Sequence, residues 1–178
     1  MSGLCIEVPP RSTKWIRNLA EALRDSCGIK QPWFPIVEFM DLTLLRDWDG
    51  YQFEVLDVQE MGGDAGRTYP DEKLVQIRAD AYNNARRGDG FGRFTMAHEL
   101  GHLFMHRGIQ FARHVGKETV KPYRSSEWQA NAFAAELLMP VGAVQESGGS
   151  IFLQGLCGVS APAAEVRFDL LRREGLIG

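Results

Sequence analysis

The chain contains 178 residues, of which 44% are hydrophobic and 24% are charged. This composition is typical of a globular domain and argues against a disordered protein. The 20 Lys and Arg residues against 23 Asp and Glu residues give a formal net charge of −3, which excludes a strongly basic nucleic-acid-binding protein. No apolar run approaches the ~20 residues of a membrane-spanning helix, and we expect no secretory signal, because a charged head followed by an apolar stretch is missing from the first residues.

Apolar periodicity and turn residues predict an α+β chain. In chain order the predicted elements are helices at 12–27 and 36–45, strands at 51–58 and 73–79, and helices at 91–107, 125–138 and 161–174. The glycine-rich segment 62–66 is predicted to be a loop. Strand 73–79 is a candidate edge strand, to which an extended substrate could add by backbone pairing.

The run Gly148-Gly149-Ser150 marks a boundary between two parts of the chain. We predict a main domain over residues 1–145, whose first 30 residues carry the N-terminal helix, and a small helical subdomain over residues 146–178.

Three cysteines, Cys5, Cys27 and Cys157, lie far apart and form no C-x-x-C pair. Their odd number and spacing favour reduced thiols and predict a cytoplasmic protein. We expect them to be small buried hydrophobic residues rather than nucleophiles.

An H-E-x-x-H motif, formed by His98, Glu99 and His102, falls within the helix predicted at 91–107. Two histidines four residues apart share one helix face, about 6 Å apart along the axis. Both imidazoles can therefore reach one zinc ion at ~2.0–2.1 Å. Glu99 can lean over the same site without binding the metal, which is the position of a general base that activates water.

A catalytic zinc site usually has three protein ligands, and the sequence offers four candidates for the third. His106 lies ~12 Å from His98 along the helix axis, too far for all three histidines to converge on one ion. His114 follows in a loop, and geometry does not exclude it. Glu127 and Glu136 are nine residues apart on the next predicted helix, so they face opposite ways and only one of them can approach the metal.

Glu127 is the preferred candidate for the third ligand. Ala130 and Ala134 share its helix face and allow two helices to approach closely. Asn131 lies one turn on and is positioned to hydrogen-bond a metal-binding histidine and fix its tautomer. Gly101, which costs ~1 kcal/mol relative to Ala within a helix, fits the same close approach. Glu136 is expected to pair with a structural or surface partner.

Two segments together carry a resemblance to a known family. Residues 93–103 read RFTMAHELGHL and residues 127–140 read EWQANAFAAELLMP. This pattern resembles the ImmA/IrrE family of bacterial metallopeptidases, and the resemblance covers about residues 73–141.

The resemblance implies a zincin-like fold, in which a small sheet packs on the H-E-x-x-H helix and a second helix supplies a glutamate. Together with the predicted elements, this gives an α+β fold with additional helices and a small helical C-terminal appendage. It implies His98, His102 and Glu127 as ligands of Zn²⁺, with Mn²⁺ left open by the sequence, and Glu99 as the base. It also implies a substrate: a helix-turn-helix repressor of the Xre type, or an antitoxin, present as a separate chain. We expect neither direct nucleic-acid binding nor membrane binding.

Tyr123 and His114, between the two motif helices, are weaker candidates for steadying an oxyanion. Two alternatives to a peptidase stay open. The first is a regulator-binding protein or toxin–antitoxin component with a structural or vestigial metal site. The second is a different zinc hydrolase, because the motif specifies activated water rather than a peptide substrate. Glu99 favours an enzyme over a binding protein, since a structural metal site needs no base.

Overall fold

The computed structural model describes residues 6–109 and 120–178. Its helices are α1 (Thr13–Ser26), α2 (Ile36–Glu38), a π-helical turn (Phe39–Thr43), α3 (Leu44–Asp47), α4 (Val58–Met61), α5 (Ala79–Arg86), α6 (Gly90–Met105), a 3-10 turn (Pro122–Arg124), α7 (Ser126–Leu138), α8 (Val141–Ser147), α9 (Ser150–Cys157) and α10 (Ala161–Arg173). Its strands are β1 (Gln52–Leu56), β2 (Gly66–Tyr69) and β3 (Leu74–Arg78). The predicted α+β class is confirmed.

The three strands form one sheet in the order β1-β3-β2. β3 is parallel to β1 and antiparallel to β2, and its Val75 and Ile77 side chains are fully buried. The expectation that strand 73–79 lies at a sheet edge is therefore wrong, because β3 is paired on both sides. Within the described sheet the outer strands are β1 and β2, and β2 starts in the segment that was predicted to be a loop.

Helix α6 is the central element of the fold. Met96, Ala97, Leu100 and Leu103 are fully buried, and the helix packs against α5, α7, β2 and β3. A helix buried on all sides carries apolar residues around its whole circumference. The side chain of Asp89 caps its first turn by accepting a hydrogen bond from the Gly92 N–H at 2.9 Å.

Helices α6 and α7 approach each other closely at Gly101. A Cβ atom added there would lie 3.1 Å from the Cα of Ala130 and 3.2 Å from the Cβ of Phe133. Helix α7 begins where the sequence predicts, because the Ser125 hydroxyl accepts a hydrogen bond from the Trp128 N–H at 3.1 Å. This start places Glu127 in the first turn of α7, against the middle of α6.

Arg93, in the first half of α6, joins that helix to distant parts of the chain. Arg93 is 1% exposed, and its guanidinium donates to the carbonyls of Phe34 and Gly158, each at 2.9 Å. It also lies 3.6 Å from the ring centroid of Trp33. Burial lowers the pKa of Arg93 to about 10. These contacts fix the start of α6 against segments from both halves of the sequence.

A buried ion cluster around Glu136 joins α1, α7 and α10. Oε2 of Glu136 lies 2.5 Å from Nη2 of Arg167, and both side chains are 1% exposed. Arg17 of α1 approaches Oε1 of Glu136 at 3.0 Å. The structural partner expected for Glu136 is thus Arg167. This contact crosses residue 145, and the division of the chain there stays a prediction.

The two cysteines within the described ranges are free: Cys157 is buried and Cys27 is partly buried. Cys5 lies outside those ranges. Across residues 6–109 and 120–178, no helix combines the length and the apolar character that crossing a membrane requires.

Candidate metal centre

Three side chains from α6 and α7 converge on one point. The Nε2 atoms of His98 and His102 are 3.0 Å apart. Oε2 of Glu127 lies 3.4 Å from Nε2 of His98, and its Oε1 lies 3.3 Å from Nε2 of His102. Each of these three residues offers one ligand atom, and the three atoms all lie within 4.8 Å of one another. Residues 98 and 102 meet because they are one helical turn apart, and Glu127 joins them because Gly101 lets α7 come close.

The spacing of these donor atoms fits a tetrahedral metal ion. Ligands at ~2.0–2.1 Å from a tetrahedral ion are separated by about 3.3 Å, which is close to the observed 3.0 to 3.4 Å. Two imidazoles and one carboxylate form a donor set that zinc accepts readily, and three protein ligands leave a fourth position for water or substrate.

Asn131 determines how His98 presents itself to this point. Nδ1 of His98 lies 3.0 Å from Oδ1 of Asn131. An amide oxygen can only accept a hydrogen bond, so Nδ1 carries the proton and Nε2 of the neutral ring has a free lone pair. That lone pair points at His102 and at the Glu127 carboxylate. Such a convergence of acceptors attracts a cation, which is a proton in the metal-free protein and can be a metal ion, so the residues fit a bound metal.

The electrostatics of Glu127 and His98 reflect their contact. Burial alone would raise the pKa of Glu127, but hydrogen bonds and charge from His102 and His98 hold that pKa well below its ordinary value. Burial alone would lower the pKa of His98, but contact with Glu127 and the charges of Glu99 and Glu127 raise it. The metal-free protein therefore favours a carboxylate beside a protonated imidazole.

Glu99 is buried between α6 and β2, beside the two histidines. Its Oε2 accepts a hydrogen bond from the Thr68 hydroxyl at 2.7 Å. A Cβ atom added at Gly66 would lie 2.6 Å from Cγ of Glu99, so only glycine at this place in β2 leaves room for the carboxylate. Burial raises the pKa of Glu99, against the effect of the neighbouring histidines and of Thr68.

His106 lies behind His102 rather than beside the point of convergence. Its Nδ1 is 3.0 Å from Nδ1 of His102, and its Nε2 is 3.2 Å from Oε1 of Gln129. Burial lowers the pKa of His106 to about 4. His106 stands out in the sequence because it continues the histidine stripe of α6, but Gln129 carries no sequence signal that would have identified it.

The remaining candidates are placed as follows. Tyr123 lies in the 3-10 turn before α7 and lines a surface cavity with Pro10, Arg11 and Trp128. Its role at an oxyanion stays a prediction. His114 lies outside the described residues.

Comparisons with known proteins agree with the geometry. A search among curated proteins finds no match to the chain. The family model described as the IrrE N-terminal-like domain (Peptidase_M78) matches residues 65–167. The match takes in more than half of the chain, including β2, β3, α6 and α7 with all three converging ligands. Metallopeptidases of this type use a divalent metal, typically zinc. The chain therefore belongs to the ImmA/IrrE family of metallopeptidases.

Proposed function

We propose that this protein is a zinc-dependent endopeptidase that uses Glu99 as general base. The observation that carries the proposal is a buried carboxylate, Glu99, beside the convergent His98, His102 and Glu127 but separate from them. A site built only to hold a structural metal has no need of such a group, so the arrangement supports an enzyme over a binding protein.

The ligands prepare the site for a doubly charged ion. Zinc bound by His98, His102 and Glu127 would lower the pKa of a water molecule to about 7 and polarise the scissile carbonyl. The Glu127 carboxylate supplies one negative charge, and Asn131 keeps the Nε2 lone pair of His98 directed inward. Both ligand helices are held by buried contacts, so little reorganisation is needed.

Glu99 moves the protons of the reaction. Its carboxylate accepts a proton from the attacking water and then delivers a proton to the amine that leaves. Burial raises its pKa, which brings the group closer to neutral pH, where proton transfer in both directions is most effective. The Thr68 hydroxyl holds the carboxylate in place at 2.7 Å.

Strand β2 supports an extended peptide as the substrate. The Arg78 N–H donates to the Ala65 carbonyl at 3.0 Å, and the antiparallel register alternates from that pair. The backbone groups of Gly66 and Thr68 therefore point away from β3, toward the side of β2 that no described strand covers. A substrate strand paired there would run past Glu99, and β2 replaces β3 as the expected docking strand.

An apolar cavity of about 490 Å³ lies among α6, α7 and α10, and it shares Asn131 with the surroundings of His98. Asn131 lines it together with apolar side chains from α6, α7 and α10, among them Phe94, Trp128, Ala132 and Ala163. We expect this cavity to receive an apolar side chain of the substrate, which supports a peptide over a small polar substrate.

The natural substrate we propose is a helix-turn-helix repressor of the Xre type, supplied as a separate chain. What supports it is the family to which the chain belongs and its resemblance to proteins that act on such regulators. The regulator encoded beside the gene is the first to test.

The test combines purified protein, zinc and that repressor, with Glu99→Gln as the matched variant. We expect the parent to shorten the repressor at one site, and Glu99→Gln to bind equal zinc while cleaving about 10²–10⁴-fold more slowly. Cleavage by Glu99→Gln at the parental rate would remove the base assignment. An intact repressor in a stable complex with the zinc-loaded parent would instead show a binding protein.

A further inference from the structure

A chain of hydrogen bonds runs behind His102, on the side away from the metal centre. It passes from Nδ1 of His102 to Nδ1 of His106 at 3.0 Å, and from Nε2 of His106 to Oε1 of Gln129 at 3.2 Å. His106 is 2% exposed and Gln129 is 1% exposed. Neither His106 nor Gln129 takes a direct part in the proposed reaction.

The Gln129 amide has only one workable orientation. Its Nε2 donates to the carbonyl of Pro9 at 2.9 Å and to the carbonyl of Tyr123 at 2.8 Å. The reversed amide would place Oε1 against two carbonyl oxygens, and three acceptors cannot bond with one another. Oε1 of Gln129 therefore faces His106 and can only accept, so Nε2 of His106 must carry a proton.

The bond between His106 and His102, at the other end of this series of hydrogen bonds, requires the same position of the proton on His106. Only one proton fits between Nδ1 of His106 and Nδ1 of His102. With its Nε2 protonated, neutral His106 offers a lone pair at Nδ1. His102 can bind a metal through Nε2 only if its own proton is on Nδ1. His102 therefore donates and His106 accepts. Gln129 at one end and His102 at the other thus both require the Nε2–H form of His106.

We propose that His106 and Gln129 are positioning residues that hold His102 as the Nδ1–H tautomer, with its Nε2 lone pair directed at the metal. This inference rests on the metal site of the proposed function. Asn131 performs the equivalent task for His98, so each histidine ligand has its own acceptor. His106 is thereby excluded as a ligand, because both of its ring nitrogens are engaged.

The acceptors that orient Gln129 are themselves fixed by backbone pairing. The Val8 N–H donates to the Arg124 carbonyl at 2.8 Å, and the Arg11 N–H donates to the Tyr123 carbonyl at 3.0 Å. These bonds hold residues 8–11 against the turn before α7. The tautomer of His102 is consequently set by main-chain structure, through two side chains.

The first measurement is zinc affinity by competition with a chromophoric chelator. We expect Gln129→Leu and His106→Leu to weaken zinc binding about 10–100-fold. His106→Gln should retain most of the affinity, because its amide can accept from His102 at one end and donate to Gln129 at the other. Leu137→Ala changes a buried residue of α7 that takes no part in these hydrogen bonds. It controls for lost stability and should keep the parental zinc affinity.

The second measurement is the ring tautomer, from long-range ¹H–¹⁵N spectra of zinc-loaded protein with labelled histidine. We expect His106 as the Nε2–H form in the parent, and a mixture of forms in Gln129→Leu after zinc is removed, because neither Gln129 nor a metal on His102 then fixes the proton. An Nδ1–H form of His106 in the parent, or parental zinc affinity in Gln129→Leu, would overturn the proposal.

His102→Ala separates this inference from the metal site itself. If His102→Ala loses zinc while Gln129→Leu and His106→Leu keep parental affinity, the positioning chain is wrong and the metal site stands. If His102→Ala binds zinc like the parent, the metal site and the inference that rests on it both fail.

Discussion

The hydroxyl of Thr68 lies 2.7 Å from Oε2 of Glu99, so the outer strand β2 touches the candidate base directly. This contact lowers the pKa of Glu99 against the larger effect of burial, which raises it. The same strand would thus hold the base and guide the substrate.

Thr68→Val should move the acidic limb of the pH profile of kcat/KM to higher pH. The variant removes a hydrogen bond that favours the charged carboxylate, so Glu99 stays protonated, and inactive as a base, over a wider range. Thr68→Ser keeps the hydroxyl and should keep the parental limb. An acidic limb that is unchanged in Thr68→Val would contradict this role.

Gly66→Ala should reduce kcat/KM by about 10²-fold while leaving zinc content unchanged. The added Cβ would lie 2.6 Å from Cγ and 2.7 Å from Oε1 of Glu99, and displacing a catalytic group by about 1 Å costs this much. Gly63→Ala is the control, because a Cβ there meets nothing within 4 Å. Equal activity of the two variants would show that Glu99 needs no such room.

Zinc affinity should rise as the pH increases from 5.5 to 8, as measured by chelator competition. Zinc binds neutral imidazole, and contact with Glu127 raises the pKa of His98, so protons compete up to higher pH than for a free histidine at ~6.5. Affinity that is flat between pH 7.5 and pH 5 would contradict the His98 assignment.

In the metal-free protein, the contribution of the His98–Glu127 pair to stability should instead fall as the pH rises from 6 to 8. Because the folded pKa of His98 is raised, its contribution to stability is full below pH ~6.5 and is lost as the pH rises through the folded value. Glu127, whose pKa is lowered, contributes above pH ~4.3 and loses that contribution as the pH falls. The increase in Tm on adding zinc should therefore be larger at pH 8 than at pH 6.

Ala163→Phe should raise KM for the repressor and leave zinc affinity unchanged. Ala163 lines the apolar cavity from α10, and a phenyl ring there would occupy part of its volume. Glu165→Phe adds the same ring to the same helix outside the cavity lining and should behave like the parent. A KM that both variants leave at the parental value would exclude this cavity as a substrate subsite.

Glu136→Leu should lower the free energy of unfolding by about 3–5 kcal/mol, because it leaves the buried charge of Arg167 without its carboxylate. Denaturant unfolding measures the change. The double variant Glu136→Leu/Arg167→Met removes both charges and should recover most of the loss. A single variant as stable as the parent would show that Arg167 finds another partner.

Much of the centre of the fold could be predicted from the sequence. The H-E-x-x-H motif and the alanine-rich run after it lie on α6 and α7 as expected, and α7 begins at Ser126, one residue from its predicted start. Gly101 was expected to mark a close approach of two helices, and it faces Ala130. Such signals are local, so they can be recognised without knowledge of the fold.

The sheet was predicted less well. β2 is four residues long and begins at Gly66, in a segment whose glycines indicated a loop. Its pairing with β3 and its position over Glu99 depend on contacts distant in sequence. The error about the edge strand followed from this missing strand, since β3 without β2 would lie at an edge.

The short helices were missed for a related reason. α4, α5, α8 and α9 have at most eight residues, too few for a clear period of 3.6. Helix 36–45 is interrupted by a π-helical turn at Phe39–Thr43, which no residue pattern indicated. Gln129 is likewise identified only by what surrounds it, because its role depends on the carbonyls of Pro9 and Tyr123.

Arg93 has a consequence for how the protein acquires its metal. Its donors are satisfied by carbonyls at residues 34, 157 and 158. During translation, His98 and His102 emerge from the ribosome well before Gly158. Helix α6, which carries both histidines, then lacks the contacts of Arg93 with residues 157 and 158. Loading of the ion is therefore expected to follow the emergence of Gly158 rather than the emergence of the two histidines.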